Sequence, residues 1–520
     1  APAMGIINPL NWQQVNGGGY TNDALQIVYD QPANKVHKGN TLTATYSGSR
    51  GSDGDIMAIA VDMDNGAFYM RKEGTWYTIS GGDQGDPTSG SSRTGAGATW
   101  TPASEYTEGA VPYAGCWGGT TPVITCNFGQ NGTFGGQETA GDNADANGYG
   151  NFYSSVPADY KALCTGNLPT PAADPVEEEG PNKYFVPKLY TGDGGSTLAI
   201  TGLEFQPDFT WIKNRDQADD NCLFDSTRGV TKLITSNSEA AETTDADTLK
   251  SWTSDGFTVG ADVKVNTNTE KYVSWNWKVN GGTTSSNSDG SITSTVQVDA
   301  DRGFSIIKYT GSGSGAITYG HGLSAAPEFI VNWRLEASQS RTVYHHLMNN
   351  GSAPADQGRI YLDATSSYDT GSGGLWDVSA ITSSTIGCVS GTWMNQSEDF
   401  LTLAFVGKEG FSRFGYYKGN GNADGPFVYT GFRPALVTTK RVDGSGGWLV
   451  HDNARNTNNV TDLIVQWNVA DAEFSGSNDK IDMVSNGFKV RSSNAGINGS
   501  GSSYIYTAWA KNPFKYATAG

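Results

Sequence analysis

The chain has 520 residues with 37% hydrophobic and 11% aromatic side chains, which is too long for one core and too apolar for disorder. Lys+Arg 34 against Asp+Glu 53 leaves a formal charge of −19, which repels phosphate backbones and anionic lipid and argues against nucleic-acid binding. No apolar run is long enough for a membrane-crossing helix, so membrane insertion through a helix is not expected.

The start, Ala1-Pro2-Ala3-Met4-Gly5, has neither the basic nor the apolar stretch of a signal peptide. Without an initiating Met it suits a processed chain or one that begins part-way through a gene product. Short runs rich in Val, Ile, Thr, Tyr, Phe and Trp then alternate with Gly/Asn/Asp/Ser clusters, which predicts strands joined by tight turns. The first sharp signal is Gly54 to Trp76: an apolar strand, an Asn65-Gly66 hairpin turn, and a second strand running into Lys72-Glu73-Gly74-Thr75-Trp76. No strand is recognisable before Gly54. Residues 167–183 carry Pro169, Pro171, Pro175, Pro181 and the run Glu177-Glu178-Glu179, the composition of an extended, solvated linker. At most a few helical turns are expected, around Ser238 to Leu249.

Beyond the linker the sequence repeats itself. Tyr190-Thr191-Gly192-Asp193-Gly194, Tyr309-Thr310-Gly311-Ser312-Gly313 and Tyr417-Lys418-Gly419-Asn420-Gly421 are followed by Pro207, Pro327 and Pro434 after 17, 18 and 17 residues. Each copy closes on an aromatic strand, ending at Trp277, Phe405 and Trp509. Glycine after a strand suits a turn with φ > 0, and the proline stops pairing before the next strand, so the repeated residues read as scaffold. Binding chemistry belongs in the loops that differ between copies. Units of this length can each close a small sandwich. The predicted fold class is all-β, a series of antiparallel β-sandwiches of jelly-roll or concanavalin-like type. The predicted bodies are 1–166, 184–282, 304–412 and 413–520, with linkers at 167–183 and 283–303.

Motifs for chemistry are sparse. Cys116, Cys126, Cys164, Cys222 and Cys388 are odd in number and lack ligand spacing, and read as small buried side chains in strands. His37, His321, His345, His346 and His451 form no HExxH or GxSxG arrangement and read as surface or turn residues. A catalytic reading of Asp452-Asn453-Ala454-Arg455 beside His451 has nothing else to support it. No strand carries the alternating acids of a concanavalin-like glycosidase. Asp62-Met63-Asp64-Asn65-Gly66 opens like a calcium loop, but Gly66 stands where a ligand belongs. Acidic turns at Asp193 and Asp299-Ala300-Asp301 could hold structural calcium, and no other cofactor is expected. Gly-flanked Trp117, Trp376 and Trp448 are the candidate ligand-binding residues, through ring faces offered to sugars.

Residues 54–76, with Cys126-Asn127-Phe128-Gly129-Gln130 and Tyr160 to Pro169, resemble the SPRY family, a concanavalin-like sandwich of interaction modules, in the version found in bacteriophage structural proteins. The repeats are similar to a domain of unknown function recurring in tail-fibre-like proteins of marine bacteriophages. Phe205-Gln206-Pro207-Asp208-Phe209-Thr210-Trp211, Leu223 to Gly229 and the stretches Ser485 to Arg491 and Trp509 to Lys515 carry that likeness. The resemblances imply a non-enzymatic protein on the virion surface, a tail-fibre or surface-fibre component whose loops attach to a host-surface glycan. Its expected partners are other virion proteins and that glycan, in a homotrimer. The alternatives are a decoration or cement protein with a structural role alone, and a polysaccharide depolymerase.

Overall fold

The alternation read from the sequence produces strands almost throughout the computed structural model, which describes residues 2–7, 26–31, 33–39, 41–80, 85, 87–102, 110–116, 123–371, 375–389, 393–475 and 478–517. The ladders are antiparallel and the fold class is all-β. Among the described residues the one α-helix is the four-residue turn Val263–Asn266. The expected helix near Ser238 to Leu249 is instead turn with a short strand, Thr243–Thr244. That stretch has no apolar face to bury, and its Glu242 N–H donates to Leu335 O at 2.8 Å.

The chain divides into two compact units, Ala1–Leu168 and Pro169–Gly520. In the first, a six-stranded sheet in the order Val111–Cys116, Pro2–Ile7, Gln26–Asp30, Lys35–Lys38, Thr41–Ser47, Thr78–Ile79 faces the sheet built on Met57–Asp62 and Ala67–Lys72. Ile27, Tyr29 and Val36 meet Phe68, Met70 and Trp100 between them. The Gly54 to Trp76 hairpins form as expected, with Asp62 paired to Ala67 and Lys72 to Thr75. Among the described residues four strands precede Gly54, where the sequence reading recognised none. Segments such as Lys-Val-His-Lys are too short and polar to declare a period.

The second unit holds three lobes, each a sandwich of one large and one three-stranded sheet. In the first lobe the large sheet runs Phe185–Thr191, Lys271–Trp277, Phe209–Asn214, Cys222–Asp225, Lys232–Thr235, Thr243–Thr244, and the third lobe repeats that order from Ser412–Lys418 to Phe474–Ser475. The second lobe's sheet has seven strands: Ser285–Asn287 and Ser294–Asp299 add to one edge, and among the described residues no counterpart of Thr243–Thr244 follows Ile360–Tyr361 at the other. Residues 283–303 are therefore sheet as well as connection, and not a free linker.

The lobes are not separate bodies in a row. Each large sheet buries one face inside its own sandwich and turns the other toward a cluster shared by all three, which includes Trp211, Trp275 and Trp277, then Phe329 and Phe405, then Trp467 and Trp509. Burial on both faces explains strands such as Phe209–Asn214, in which every residue is buried. The lobes close a head-to-tail ring through one repeated backbone hydrogen bond: Glu242 N–H to Leu335 O at 2.8 Å, Tyr368 N–H to Val442 O at 2.9 Å, Glu473 N–H to Arg215 O at 2.8 Å. The strand registers make Leu335, Val442 and Arg215 equivalent positions, so the arrangement is a pseudo-threefold within one chain. The void at its centre measures about 10 Å³, enough for one water at most.

The Pro/Glu segment also departs from expectation, because its second-unit part is tied down. Ala172 N–H donates to Glu409 O at 2.9 Å, and Ala173 is fully buried in the shared cluster. Glu179 accepts from the Tyr184 hydroxyl at 2.8 Å and pairs with Arg302, whose guanidinium lies 4.1 Å over the Tyr184 ring. A lobe cut from the ring would expose one face of a large sheet rich in Trp and Phe. Residues 413–520 alone are therefore expected to show no cooperative thermal transition, whereas residues 169–520 unfold in one, a difference that calorimetry reads directly.

Candidate binding surface

The repeated motif residues serve the fold, by a mechanism only half visible in the sequence. In each copy the second glycine has the positive φ that the turn needs, +67° at Gly194, +77° at Gly313 and +67° at Gly421. The first glycine is needed for room: a Cβ would stand 2.2 Å from Thr267 O at Gly192, 2.1 Å from Gln396 O at Gly311 and 2.3 Å from Gly499 O at Gly419. A buried Asn fastens each turn. Asn266, Asn395 and Asn498 accept from Asp193 N–H (2.8 Å), Ser312 N–H (2.6 Å) and Asn420 N–H (2.7 Å), and donate back to carbonyls of the same turn. The tyrosine hydroxyls of Tyr190, Tyr309 and Tyr417 donate to the carbonyl just before each Asn, at Val265, Met394 and Ile497.

The three seams of the ring repeat a second device with unlike side chains. Asn221, Arg341 and Trp448 occupy one register position, and each donates a side-chain N–H to the same main-chain oxygen of the next lobe: Gln466 O at 3.3 Å, Thr235 O at 3.1 Å, Tyr361 O at 2.9 Å. Cross-strand from them stand Lys213, Trp333 and Lys440, all fully buried. Lys213 Nζ donates to Ala470 O and Asp219 O at 2.8 Å, and Lys440 Nζ to Gly446 O at 2.5 Å. Burial pushes both ammonium groups down, Lys213 to about 8 and Lys440 to about 7.

Burial of the Lys440 ammonium is offset by carbonyls alone, those of the half-buried Ala364 and Gly446, and Trp333 fills its place in the second lobe, so Lys440→Met is expected to stabilise the ring, by about 1–3 kcal/mol at pH 7. The wild-type folded ammonium has the lower pKa, so the unfolded chain holds the proton longer and stability climbs from pH 7 to about 10. Denaturant titrations across that range should show the climb shrink in the variant.

Two of the tryptophan expectations are corrected here. Trp448 begins a strand and Trp376 lies in another, and both are fully buried in the shared cluster, so neither ring face is open to a sugar. Trp117 falls outside the described residues. The histidine reading also changes: His321, His345 and His451 are fully buried. The adjacent pair His345 and His346 diverge, one bonding Tyr506 O at 3.3 Å and the other Phe414 O at 2.8 Å. Cys222 and Cys388 are buried in strands as expected, whereas Cys126 is exposed and Cys164 partly so, in a stretch with few strands.

Asp452 is engaged by the fold. Its carboxylate is fully buried against Arg455 Nε at 2.6 Å and Trp275 Nε1 at 3.1 Å, and the Arg228–Asp225 pair at 2.6 Å repeats the arrangement in the first lobe. Among the described residues no group of three or more His, Cys, Asp or Glu side chains is placed to hold a metal ion. The Asp193 carboxylate accepts from Gly195 N–H and Asn266, and that of Asp299 from Arg302 N–H.

One surface cluster is not repeated. Where the first and third lobes bury Leu233 and Ile464, the second has Arg359. Where they have Thr235 and Gln466, it has Tyr361. Arg359 Nη2 pairs with Asp369 Oδ2 at 2.9 Å, Nη1 donates to Gly371 O at 2.9 Å, and the guanidinium carbon lies 5.9 Å from the Tyr361 ring centre. Trp393 lies beside Tyr361, with ring centres 6.1 Å apart and planes at 37°. Both rings are half-buried, and Asp369 is exposed. No sequence motif announces this group, since Arg359 and Trp393 are far apart in the chain and stand out only when the copies are aligned through their strand registers.

A family profile described as a domain of unknown function, DUF7483, matches residues 180–513, nearly two thirds of the chain. The chain belongs to this family. Comparison with curated proteins and with solved structures returned no match. The DUF7483 match covers all three lobes at once, so the family domain is the closed ring and not a single repeat. Its boundaries fall just before Phe185, the first strand of the ring, and at Pro513, the end of the last.

Proposed function

We propose that this protein is a non-enzymatic component of a bacteriophage virion, a tail or surface fibre that presents its DUF7483 ring to a glycan on the host surface. The observation that carries the reading is a division within the ring. Positions shared by the lobes fasten turns and seams, and the buried Lys, His and Asp side chains engage the chain's own groups, while the unrepeated Arg359, Tyr361 and Trp393 gather at the surface of one lobe. The resemblance of residues 54–76 to the SPRY family and of the repeats to phage tail-fibre domains supports the virion setting. Threefold closure is already achieved inside one chain, so a trimer of chains is not needed to complete the ring.

The test incubates the whole chain with a printed glycan array and with purified host polysaccharide, and labels intact particles with antibody to it. Glycan binding without product release, together with particle labelling, is the expected result. Labelling without any glycan binding would leave a cement protein, and release of oligosaccharides would replace the reading with a depolymerase.

A further inference from the structure

We infer that the second lobe's Tyr361, Trp393 and Asp369, with Arg359 holding them in place, form the sugar-contacting site, and that the site takes a neutral pyranose. This rests on the reading of the protein as a glycan binder and adds where the glycan sits and of what class it is. The first argument is difference. The position of Tyr361 holds Thr235 and Gln466 in the other lobes, and that of Trp393, one residue before the carbonyl that takes the Tyr309 hydroxyl, holds Lys264 and Gly496. Tyr368 likewise stands where the others carry Glu242 and Glu473. Of these three aromatic substitutions Tyr368 serves the fold, packing on the core and accepting from Ala355 N–H at 3.1 Å, while Tyr361 and Trp393, from separate stretches of the lobe, each keep part of the ring exposed.

The second argument is chemistry. A pyranose offers a face of C–H groups that packs on an aromatic ring and an edge of hydroxyls that needs fixed acceptors. Tyr361 and Trp393 supply two half-buried rings. Tyr361 is anchored through its own backbone, pairing with Thr342 and accepting from Trp448 Nε1 at 2.9 Å. Asp369 supplies the acceptor, its carboxylate held by Arg359 Nη2 at 2.9 Å and Gly371 N–H at 3.0 Å, with the side chain 55% exposed. Arg359, only 12% exposed, is a positioning residue: it orients the carboxylate and backs the Tyr361 ring.

The third argument is charge. The Arg359 cation is already matched by Asp369, and of the two side chains the carboxylate is the one open to an incoming ligand, 55% exposed against 12%. A hexuronate or other acidic sugar would meet like charge here, in a chain whose formal charge is −19. A neutral hexose or N-acetylhexosamine would not.

The experiment uses the full chain on a printed array that carries neutral hexose- and N-acetylhexosamine-terminated oligosaccharides beside hexuronate-containing ones, at physiological salt. Wild type is expected to favour the neutral set. Trp393→Ala and Asp369→Asn are each expected to weaken that binding at least tenfold, Asp369→Asn with little change in melting temperature, and Asp369→Asn alone decides if Trp393→Ala, which also loses packing on the core, unfolds the lobe. Wild-type binding that both folded variants retain would overturn the site and leave the adhesion reading standing. Preference for hexuronates lost in the variants would overturn the ligand class and keep the site. No binding by wild type to any sugar would overturn the adhesion reading itself.

Discussion

Trp448→Ala is expected to destabilise the Pro169–Gly520 unit by about 4–5 kcal/mol, lowering its melting temperature by about 6 °C. The indole is fully buried in the cluster shared by the three lobes, where it stands against Phe329 with ring centres 6.4 Å apart. Truncation leaves a cavity that the surrounding sheets cannot collapse to fill, since the faces they offer are pinned by their own ladders. It also removes the donor to Tyr361 O, and an unmatched buried carbonyl adds about 1–3 kcal/mol. Trp448→Phe separates the two contributions, keeping most of the ring and losing the hydrogen bond, and should cost less than half as much. A loss under about 1 kcal/mol in urea titrations of Trp448→Ala would contradict the closed ring.

Acid is expected to unfold the ring by way of buried imidazoles. His451 is held down to about 4 by burial, against an ordinary value near 6.5, and burial holds His345 well below its ordinary range. The hydrogen bonds give the reason. His451 Nε2–H donates to Asp479 O at 2.8 Å, while its Nδ1 is buried without a partner. In His345 and His321, Nε2–H donates to Tyr506 O and Thr382 O, and Nδ1 accepts from Leu347 N–H at 3.1 Å and Leu323 N–H at 3.0 Å. A second proton has no acceptor in the first case and breaks a backbone hydrogen bond in the other two. Below pH 6.5 the unfolded chain therefore binds protons that the folded chain refuses. The stability present above that pH is lost as pH falls toward 4, by about 3 kcal/mol for His451 alone. Urea midpoints at pH 7 and pH 4.5 measure the loss, and His451→Gln should flatten the slope by about that amount. An unchanged slope would mean that carboxylates, not this imidazole, govern acid unfolding.

Much of the architecture was legible because sandwich strands announce themselves by period and turn residues. Tyr-x-Gly-x-Gly, the spaced prolines and the closing aromatic strands marked the three copies to within a residue. What stayed hidden was the second burial. Tyr272 to Trp277 reads as a rich inward face, and nothing in one sequence says that both faces are covered. Trp448 follows two glycines and so resembles a loop residue, yet those glycines end the turn and the strand starts at the indole itself. The surface cluster was illegible for a different reason. Arg359, Asp369 and Trp393 are ordinary residues on separate stretches, and their oddity exists only relative to Leu233 and Ile464, or Lys264 and Gly496, once strand pairing has fixed the correspondence. The Asp452-to-Arg455 spacing, matched by Asp225 to Arg228, marks a buried ion pair in two of the lobes, and a single sequence does not show that Asp452 also meets the Trp275 indole.

The choice of a main-chain oxygen as the acceptor at every seam has a consequence for how such a chain drifts. A peptide carbonyl cannot be deleted by substitution, so the demand on the opposite position is merely for some N–H that reaches it. Amide, guanidinium and indole all satisfy that demand in this molecule. Identity between the three copies can therefore erode at the joints while the joints persist, leaving each copy free to acquire surface features of its own.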